Sequence, residues 1–409
     1  MPLVHLSPSL LLLPTRAAKH SHLPLVPRFS PSPSFLTTSA AHAMSKPKIL
    51  LTRSFPTSLL AEAEKDGKIE LVSWPHKEKP ADRKWVLENA KGAAGIAITM
   101  TEKVDEELLS AAGSSLKCIS TLSVGYDHID VRLCKERNIR VGNTPSVLNE
   151  AVSDLSLLLI LAITRQAPAA TRVVREGRWK DTPISPMAFT GPSLKGKTIG
   201  FFGFGGIAQT LALQLANFDV ARILYKTSRE RKFDSSDEYF GEFGKAHWEE
   251  RQTLRQKCGK ERIEVGSVSS LDALARESDI VVVLASLSPS TKHAIGSSFF
   301  EQMKSSAHLI NVSRGPLVDT SALVSALKEG KLAGAALDVL EGEPAIPADH
   351  PLIADPDVKD KVFLLPHIGS ANTETRMRMS ALTEQNVLAG AGVPGAGFEG
   401  QEGRMEFEV

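Results

Sequence analysis

The chain has 409 residues, 42% of them apolar and 23% charged, with a formal net charge of +1, which is close to the globular average. This length predicts two or three domains, and the near-neutral charge gives no bulk electrostatic reason to bind nucleic acid or an anionic membrane. Because no run of about 18 uncharged apolar residues occurs, a spanning helix is excluded. Three widely separated cysteines exclude a disulfide framework and a cysteine-rich zinc site, so we expect no metal and a reducing compartment.

The first 43 residues differ in charge from the rest. They contain seven serines, seven prolines and three basic residues, and the first acidic residue of the chain is Glu62. A basic, serine-rich segment without acids is typical of a mitochondrial transit peptide, so we predict a location in the mitochondrial matrix. A disordered tail is the alternative. A second start at Met44, which leads directly into a predicted strand, would give a cytoplasmic form.

Two series of short apolar segments alternate with helical patterns along the remaining chain. Such alternation predicts parallel sheets covered by helices, and therefore an α/β fold. In the first series we predict strands at 49–55, 69–74, 95–100, 116–124 and 139–143, with helices at 57–65, 104–112 and 131–137. In the second we predict strands at 198–204, 223–227, 263–268, 280–286, 308–313, 333–339 and 362–367, with helices at 207–217, 269–277 and 320–329.

Two longer helical patterns flank the second series, at 149–164 and 372–391. The first is rich in leucine, isoleucine and alanine on all sides, which is typical of a helix buried all round. We predict that it packs between domains or against another subunit, with burial inside one chain as the alternative.

A charged insertion at 229–262 interrupts the second series. Its 34 residues exceed what a connection normally needs. We predict a solvated insertion with a surface helix at 238–258 that carries Tyr239, Phe240, Phe243 and Trp248 on one side. A partner-binding role is the alternative.

A dinucleotide fingerprint lies between a predicted strand and a predicted helix. The segment Gly203-Phe-Gly205-Gly206-Ile207-Ala208 matches G-x-G-x-x-G/A in the strand–turn–helix context that the motif requires. The first glycine permits a tight turn, the second permits close approach of a pyrophosphate, and Ala208 permits the helix to pack on the strand. Amides at the helix start would bind the pyrophosphate.

The end of the next predicted strand indicates which cofactor is used. An NAD-specific site has an acid about 20 residues after the fingerprint. Here the strand ends Lys226-Thr-Ser228-Arg229 without an acid, and Ser228 and Arg229 suit a 2′-phosphate. We therefore predict NADP(H), with NAD(H) as the alternative.

Three polar residues follow three strands of the second series: Arg314, Glu343 and His367. Ligands bind beyond the carboxyl ends of strands in open α/β sheets, so these side chains are candidates for one site. Arginine can bind a carboxylate bidentately, and a histidine beside a carboxylate can act as a general acid.

At these residues the chain resembles the D-isomer-specific 2-hydroxyacid dehydrogenases, most of all their glyoxylate/hydroxypyruvate reductase branch. The likeness covers about residues 48–388 and includes the segments Ser-Val124-Gly125-Tyr-Asp, Ser-Arg314-Gly, Leu-Asp338-Val and His367-Ile-Gly-Ser. It implies a homodimer with two Rossmann-like domains, of which the substrate domain is discontinuous and completed by the final helix. The expected divisions are a leader at 1–43, a substrate domain at 47–147 with 372–395, an NADP(H) domain at 148–371 and a tail at 396–409.

The resemblance also implies roles. His367 would be the general acid, Glu343 would keep its imidazole oriented and protonated, and Arg314 would bind the substrate carboxylate and carbonyl. The expected substrate site comprises Val124, Gly125, Arg314, His367 and Ser370. The expected cofactor site comprises Gly203, Gly205, Gly206, Ile207, Ser228, Arg229, Ser286, Val312, Asp338 and Gly369.

The implied reaction is NADPH-dependent reduction of glyoxylate and hydroxypyruvate, small 2-keto acids, to glycolate and D-glycerate. The segment between Trp179 and Gly191 lacks additional tryptophans seen in part of this branch, so the preferred substrate stays open. Another D-2-hydroxyacid dehydrogenase, or a non-enzymatic dinucleotide-sensing corepressor of the same fold, is the alternative.

Overall fold

A computed structural model describes residues 46–77, 79–182, 185–234, 237–241, 243–398 and 401–409. The predicted transit peptide at 1–43 lies outside these residues. All elements given below belong to the described part of the chain.

A first parallel sheet has the strand order β2-β1-β3-β4-β5, which is that of flavodoxin-like doubly wound folds. Every residue of β3 is buried, as expected for a parallel strand covered on both faces. The elements of this part are β1 (Lys48–Leu51), α1 (Leu59–Lys65), β2 (Glu70–Ser73), α2 (Arg83–Ala90), β3 (Ala93–Ile98), α3 (Glu106–Ala112), β4 (Cys118–Thr121), α4 (Val131–Glu136) and β5 (Arg140–Gly142).

A second parallel sheet has the order β12-β11-β10-β9-β6-β7-β8, the Rossmann arrangement with one further strand. Strand order reverses between β6 and β9, which is where such folds bind ligands. The elements are α5 (Asn149–Thr164), α6 (Ala167–Arg175), β6 (Thr198–Phe202), α7 (Gly206–Leu215), β7 (Arg222–Lys226), α8 (Glu249–Lys257), β8 (Glu264–Ser267), α9 (Leu271–Glu277), β9 (Ile280–Val283), α10 (Ser297–Gln302), β10 (His308–Asn311), α11 (Thr320–Lys328), β11 (Gly334–Leu337), α12 (Pro351–Ala354) and β12 (Val362–Leu364).

The last long helix, α13 (Thr373–Gly390), packs on the first sheet although it follows the second in sequence. A Cβ on Gly95 of β3 would lie 2.8 Å from the Val387 side chain, so the helix approaches the strand closely. The first domain is therefore discontinuous, and the predicted fold of two Rossmann-like domains is confirmed.

Helix α5 packs within the second domain, against α7, β10, β11 and β12. These contacts lie inside one domain, so the prediction that α5 packs between domains is wrong, whereas packing against another subunit stays a prediction. The helix is also not buried all round, since Leu158 is 51% exposed. No single described helix is both long and apolar enough to span a membrane; only α5 and α6 together meet that test, and they are bent by 72°.

The prediction of a solvated insertion at 229–262 is wrong for its aromatic side. Phe240, Phe243 and Trp248 are 0%, 5% and 1% exposed and belong to the core of the second domain. The single helix predicted at 238–258 is replaced by a 3-10 turn, a π-helical turn at Phe243–Trp248 and then α8. Burial of these large aromatic side chains stabilises the fold. The charged residues of the insertion can stay hydrated at the surface, so they do not oppose that burial.

The residues expected to form a tail at 396–409 pack on the first domain. They form a hairpin of β13 (Gly397–Phe398) and β14 (Gln401–Glu402) and then run antiparallel beside β5. The Val409 amide donates to the Val141 carbonyl at 2.9 Å, and Met405 is 4% exposed. This segment therefore covers what would otherwise be an open sheet edge.

Candidate active site

The carboxyl ends of both sheets face one cleft, which encloses a cavity of about 380 Å³. This volume lies in the range of small-ligand sites. Ten of the predicted site residues line it: Val124, Gly125, Ile207, Ser286, Val312, Arg314, Asp338, His367, Gly369 and Ser370. Six do not line it, namely Gly203, Gly205, Gly206, Ser228, Arg229 and Glu343.

The glycine turn between β6 and α7 has the geometry that a dinucleotide needs. Gly203 has φ +91°, and a Cβ there would lie 2.7 Å from the backbone of Leu284 and Ala285. A Cβ on Gly205 would meet nothing within 4 Å, so this side of the turn is open to a ligand. Gly206 begins α7, and no described side chain caps that helix, which leaves its first amides available to a pyrophosphate.

Ser228 and Arg229 lie just beyond β7, and both are exposed. The Gly203 amide donates to the Lys226 carbonyl at 2.8 Å, so the end of β7 adjoins the glycine turn. The structure thus brings the two predicted 2′-phosphate residues to the cofactor side of the cleft, away from the cavity.

His367 lines the cavity and is hydrogen-bonded to Glu343, which does not line it. The distance between His367 Nδ1 and Glu343 Oε1 is 2.7 Å, and Glu343 Oε2 accepts from the Leu340 amide at 3.1 Å. The carboxylate is therefore held on both oxygens, and it orients the imidazole. Because Nδ1 is engaged, Nε2 is the ring nitrogen left for a substrate.

The turn that carries His367 is fixed by Asp338. Its two carboxylate oxygens accept from the amides of Ile368 and Gly369 at 2.8 and 2.7 Å, and its carbonyl accepts from the His367 amide at 2.7 Å. His367 has φ +56°, a conformation that L-residues adopt rarely and that clusters at functional sites. Burial raises the pKa of Asp338, and the two amide hydrogen bonds oppose that shift.

Arg314 reaches from the second domain to the first. Its Nε donates to Asp127 Oδ1 at 2.8 Å, and its Nη1 donates to the Ser313 carbonyl at 2.9 Å. A Cβ on Gly125 would lie 1.8 Å from Arg314 Nη2. Only glycine at 125 therefore permits the guanidinium to lie against this loop, beside the amides of Val124 and Gly125.

Side chains of the first domain fix the carbonyls of that loop. Asn143 Nδ2 donates to the Val124 carbonyl at 2.8 Å, and Ser123 Oγ donates to the Gly125 carbonyl at 2.7 Å. Thr121 Oγ1 lies 2.9 Å from Ser123 Oγ and 3.0 Å from His128 Nε2, which extends the network inward. Burial lowers the pKa of His128 to about 4, so this ring is neutral near pH 7.

Comparison with known proteins gives a family for this arrangement. The model of the D-isomer-specific 2-hydroxyacid dehydrogenase NAD-binding domain matches residues 157–247 and 247–369. The glyoxylate reductase of Thermofilum pendens is 39% identical over 349 residues, which are 85% of this chain and 92% of the relative. The chain belongs to the D-isomer-specific 2-hydroxyacid dehydrogenase family.

Other relatives lie in the same branch. The mouse glyoxylate reductase/hydroxypyruvate reductase is 37% identical over 84% of this chain and 94% of its own length. The crystal structure of the NADPH-dependent glyoxylate/hydroxypyruvate reductase of Sinorhizobium meliloti, in complex with NADP and malonate, superposes with a TM-score of 0.64 at 31% identity. The superposition covers 84% of this chain and 93% of the Sinorhizobium chain.

Sequence reasoning missed two charged residues of this dehydrogenase's cavity. Asp127 belongs to the recognised segment after Gly125, but nothing in the sequence pairs it with Arg314. Arg376 lies in the first turn of α13, a region interpreted only as a packing helix, yet it lines the cavity, and burial lowers its pKa. The signal in the sequence was that Arg376 lies in the first turn of the helix that follows His367.

Proposed function

We propose that this protein reduces glyoxylate and hydroxypyruvate to glycolate and D-glycerate, with NADPH as the preferred reductant. The observation that carries the proposal is one cavity, beside a dinucleotide turn, that is lined by Arg314 and by His367, whose ring is hydrogen-bonded to Glu343. Relatives named for these activities match most of the chain, which supports the substrate class.

Substrate binding follows from the charges of the cavity. The Arg314 guanidinium attracts the carboxylate of a 2-keto acid, and the amides of Val124 and Gly125 donate to its free oxygen. Arg314 is held at Nε by Asp127 and at Nη1 by Ser313 before any substrate arrives. Such prior orientation reduces the entropy lost on binding.

His367 then supplies a proton. The glycine turn and the first amides of α7 would hold a reduced nicotinamide dinucleotide, which would supply the hydride for the carbonyl carbon. His367 Nε2 donates a proton to the oxygen as negative charge develops there, and the Glu343 carboxylate stabilises the imidazolium before transfer. Asp338 keeps the His367 turn in place through its three backbone contacts.

The preference for NADPH rests on the end of β7. The residues Lys226-Thr-Ser228-Arg229 offer no carboxylate for a ribose 2′-hydroxyl and would offer a hydroxyl and a cation to a 2′-phosphate. The Sinorhizobium relative that superposes on this chain was solved with NADP.

We further propose that the protein is a homodimer. Large apolar side chains are exposed on α5, on α6 and in the loop that follows: Leu158 at 51%, Val174 at 54%, Trp179 at 71% and Met187 at 73%. Exposed apolar residues grouped in this way are typical of an interface. Light scattering on purified protein should give twice the chain mass, and a monomer would contradict the proposal.

The leader supports a location in the mitochondrial matrix, with a cytoplasmic form that begins at Met44. N-terminal sequencing of the native protein checks both. A native N-terminus at Met1 would contradict the proposal of a cleaved mitochondrial leader.

A steady-state panel tests the function. We expect NADPH oxidation with glyoxylate and hydroxypyruvate, weaker activity with pyruvate, and a higher kcat/KM for NADPH than for NADH. His367→Ala should lower kcat by about 10²–10⁴, the usual worth of general acid catalysis. A variant within twofold of wild type would remove His367 from the mechanism, and a preference for NADH would end the NADPH proposal.

A further inference from the structure

The insertion contacts the dinucleotide turn directly. We define the aromatic wedge as the side chains of Phe233, Tyr239, Phe240, Phe243 and Trp248. The ring of Phe204, the residue between the first two glycines of the fingerprint, lies 5.6 Å from Phe243 and 6.4 Å from Phe240. On its other face the same ring stacks on Tyr225 of β7, at 4.5 Å. The side chain of the turn is therefore enclosed by the insertion.

Polar contacts join the wedge to the backbone of the turn. Tyr239 Oη donates to the Phe204 carbonyl at 3.1 Å, and Gln209 Nε2 of α7 donates to the same carbonyl at 3.0 Å. Gln209 Nε2 also lies 3.3 Å from the Tyr239 carbonyl, which closes a triangle of hydrogen bonds. The Arg231 guanidinium lies 4.4 Å from the centre of the Tyr239 ring and orients it.

These contacts determine where the next amide points. A trans peptide is planar, with its carbonyl and N–H directed to opposite sides. Because two donors hold the Phe204 carbonyl, the N–H of Gly205 is held in the opposite direction. No heavy atom lies within 4 Å of the place that a Cβ on Gly205 would take, so a phosphate can approach the backbone that carries this amide.

We propose that the insertion is a functional part of the dinucleotide site and that Tyr239 is a positioning residue for the cofactor. The wedge and the Tyr239 hydroxyl fix the peptide between Phe204 and Gly205, so that the Gly205 amide is oriented before the pyrophosphate binds. The proposal deepens the proposed function by assigning the insertion to cofactor affinity, and it requires that a nicotinamide dinucleotide binds the glycine turn.

Two variants that each remove one hydroxyl test it. Thr164 is buried in α5, and its hydroxyl donates to the Ile160 carbonyl at 2.8 Å, within that helix. Tyr239→Phe and Thr164→Val therefore each remove one hydrogen-bonded hydroxyl, and only the first removes a donor to the turn. Calorimetric titration with NADPH measures the Kd without any turnover.

We expect Tyr239→Phe to raise the Kd for NADPH about 3- to 10-fold, which corresponds to one net hydrogen bond. Thr164→Val should leave the Kd within about 1.5-fold of wild type, although both variants lower Tm. With saturating NADPH, the KM for glyoxylate of Tyr239→Phe should be unchanged. Gln209→Met, which removes the other donor to the Phe204 carbonyl, should raise the Kd in the same direction.

An unchanged Kd in Tyr239→Phe, or an equal rise in Thr164→Val, would overturn the proposal. So would a wild-type protein that binds no nicotinamide dinucleotide. A wild type that binds NADPH yet reduces neither glyoxylate nor hydroxypyruvate would overturn the proposed function alone, because the titration reads binding only.

Discussion

At the scale of single residues, the cleft is organised by acids that hold other site residues in position. Glu343 orients His367, Asp127 holds Arg314, and Asp338 fixes the His367 turn through backbone amides. Each of these acids acts on a neighbour whose position the proposed reaction requires. Replacing an acid by its amide therefore tests position and charge with little change in shape.

Glu343→Gln should lower kcat by at most about 10²–10⁴-fold. This is the usual contribution of a general acid to the rate, and the variant cannot lose more than that contribution. The amide can present either its oxygen or its NH₂ group to His367 Nδ1, so the imidazole is held less well in the orientation that the carboxylate fixes. Steady-state rates with saturating NADPH and glyoxylate check this. A kcat within twofold of wild type would contradict the pairing.

Asp127→Asn should raise the KM for glyoxylate, roughly 3- to 30-fold, because a charge-assisted hydrogen bond orients Arg314. The KM for NADPH should stay as in wild type. Asp105→Asn, which weakens a comparable pair with Arg83 far from the cleft, is the control. A fall in the KM for glyoxylate would show instead that Asp127 competes with the substrate for Arg314.

At the scale of elements, segments outside the regular β/α alternation complete both domains. The insertion supplies aromatic core to the second domain, and the last residues of the chain cover the edge of the first sheet. Met405 fills the space between β5 and α13, since a Cβ on Gly142 would lie 2.4 Å from its Cε and one on Gly390 3.0 Å from its Sδ. These terminal residues are therefore part of the substrate domain.

Met405→Ala should lower the free energy of unfolding by about 2–4 kcal/mol, the usual range for truncating a buried side chain. Met377→Ala is the control, because Met377 lies on α13 and is 41% exposed. Its loss should stay below about 1 kcal/mol. Urea unfolding measures both, and equal losses would show that the last residues do not support the fold.

At the scale of the whole molecule, two parallel sheets contribute to one cavity, and buried histidines link folding to pH. Burial lowers the pKa of His308, the first residue of β10, to about 4 from an ordinary value of 6.5. Between these values the unfolded chain binds a proton that the folded chain does not. The free energy of unfolding is therefore not reduced by His308 above pH 6.5, and it decreases as the pH falls from 6.5 to 4. His128 acts in the same direction.

His308→Gln should make the free energy of unfolding less dependent on pH between 4 and 6.5, by up to about 3 kcal/mol over that interval. Only the slope is compared, because a buried glutamine changes the absolute stability. His76→Gln, at an exposed site, should keep the wild-type slope. A wild-type slope in His308→Gln would mean that this ring titrates normally.

Features that depend on spacing along the chain could be predicted from the sequence. The glycine fingerprint, the two β/α series, and the strand-end positions of Arg314 and His367 follow from local patterns of apolar, glycine and charged residues. The predicted strands are mostly too long, by two to five residues, because apolar character continues into the loops that line the cleft.

Which distant segments meet depends on the whole fold. Asp127 and Arg314 are 187 residues apart, and their contact exists because two separate sheets direct their strand ends to one cleft. The aromatic side of the insertion turns inward because Phe204 and Tyr225 offer it an apolar surface, whereas the many charged residues of the insertion predict a solvated segment. Burial, strand order and pairing across domains depend on contacts between distant residues, whereas turns depend on neighbours in the chain.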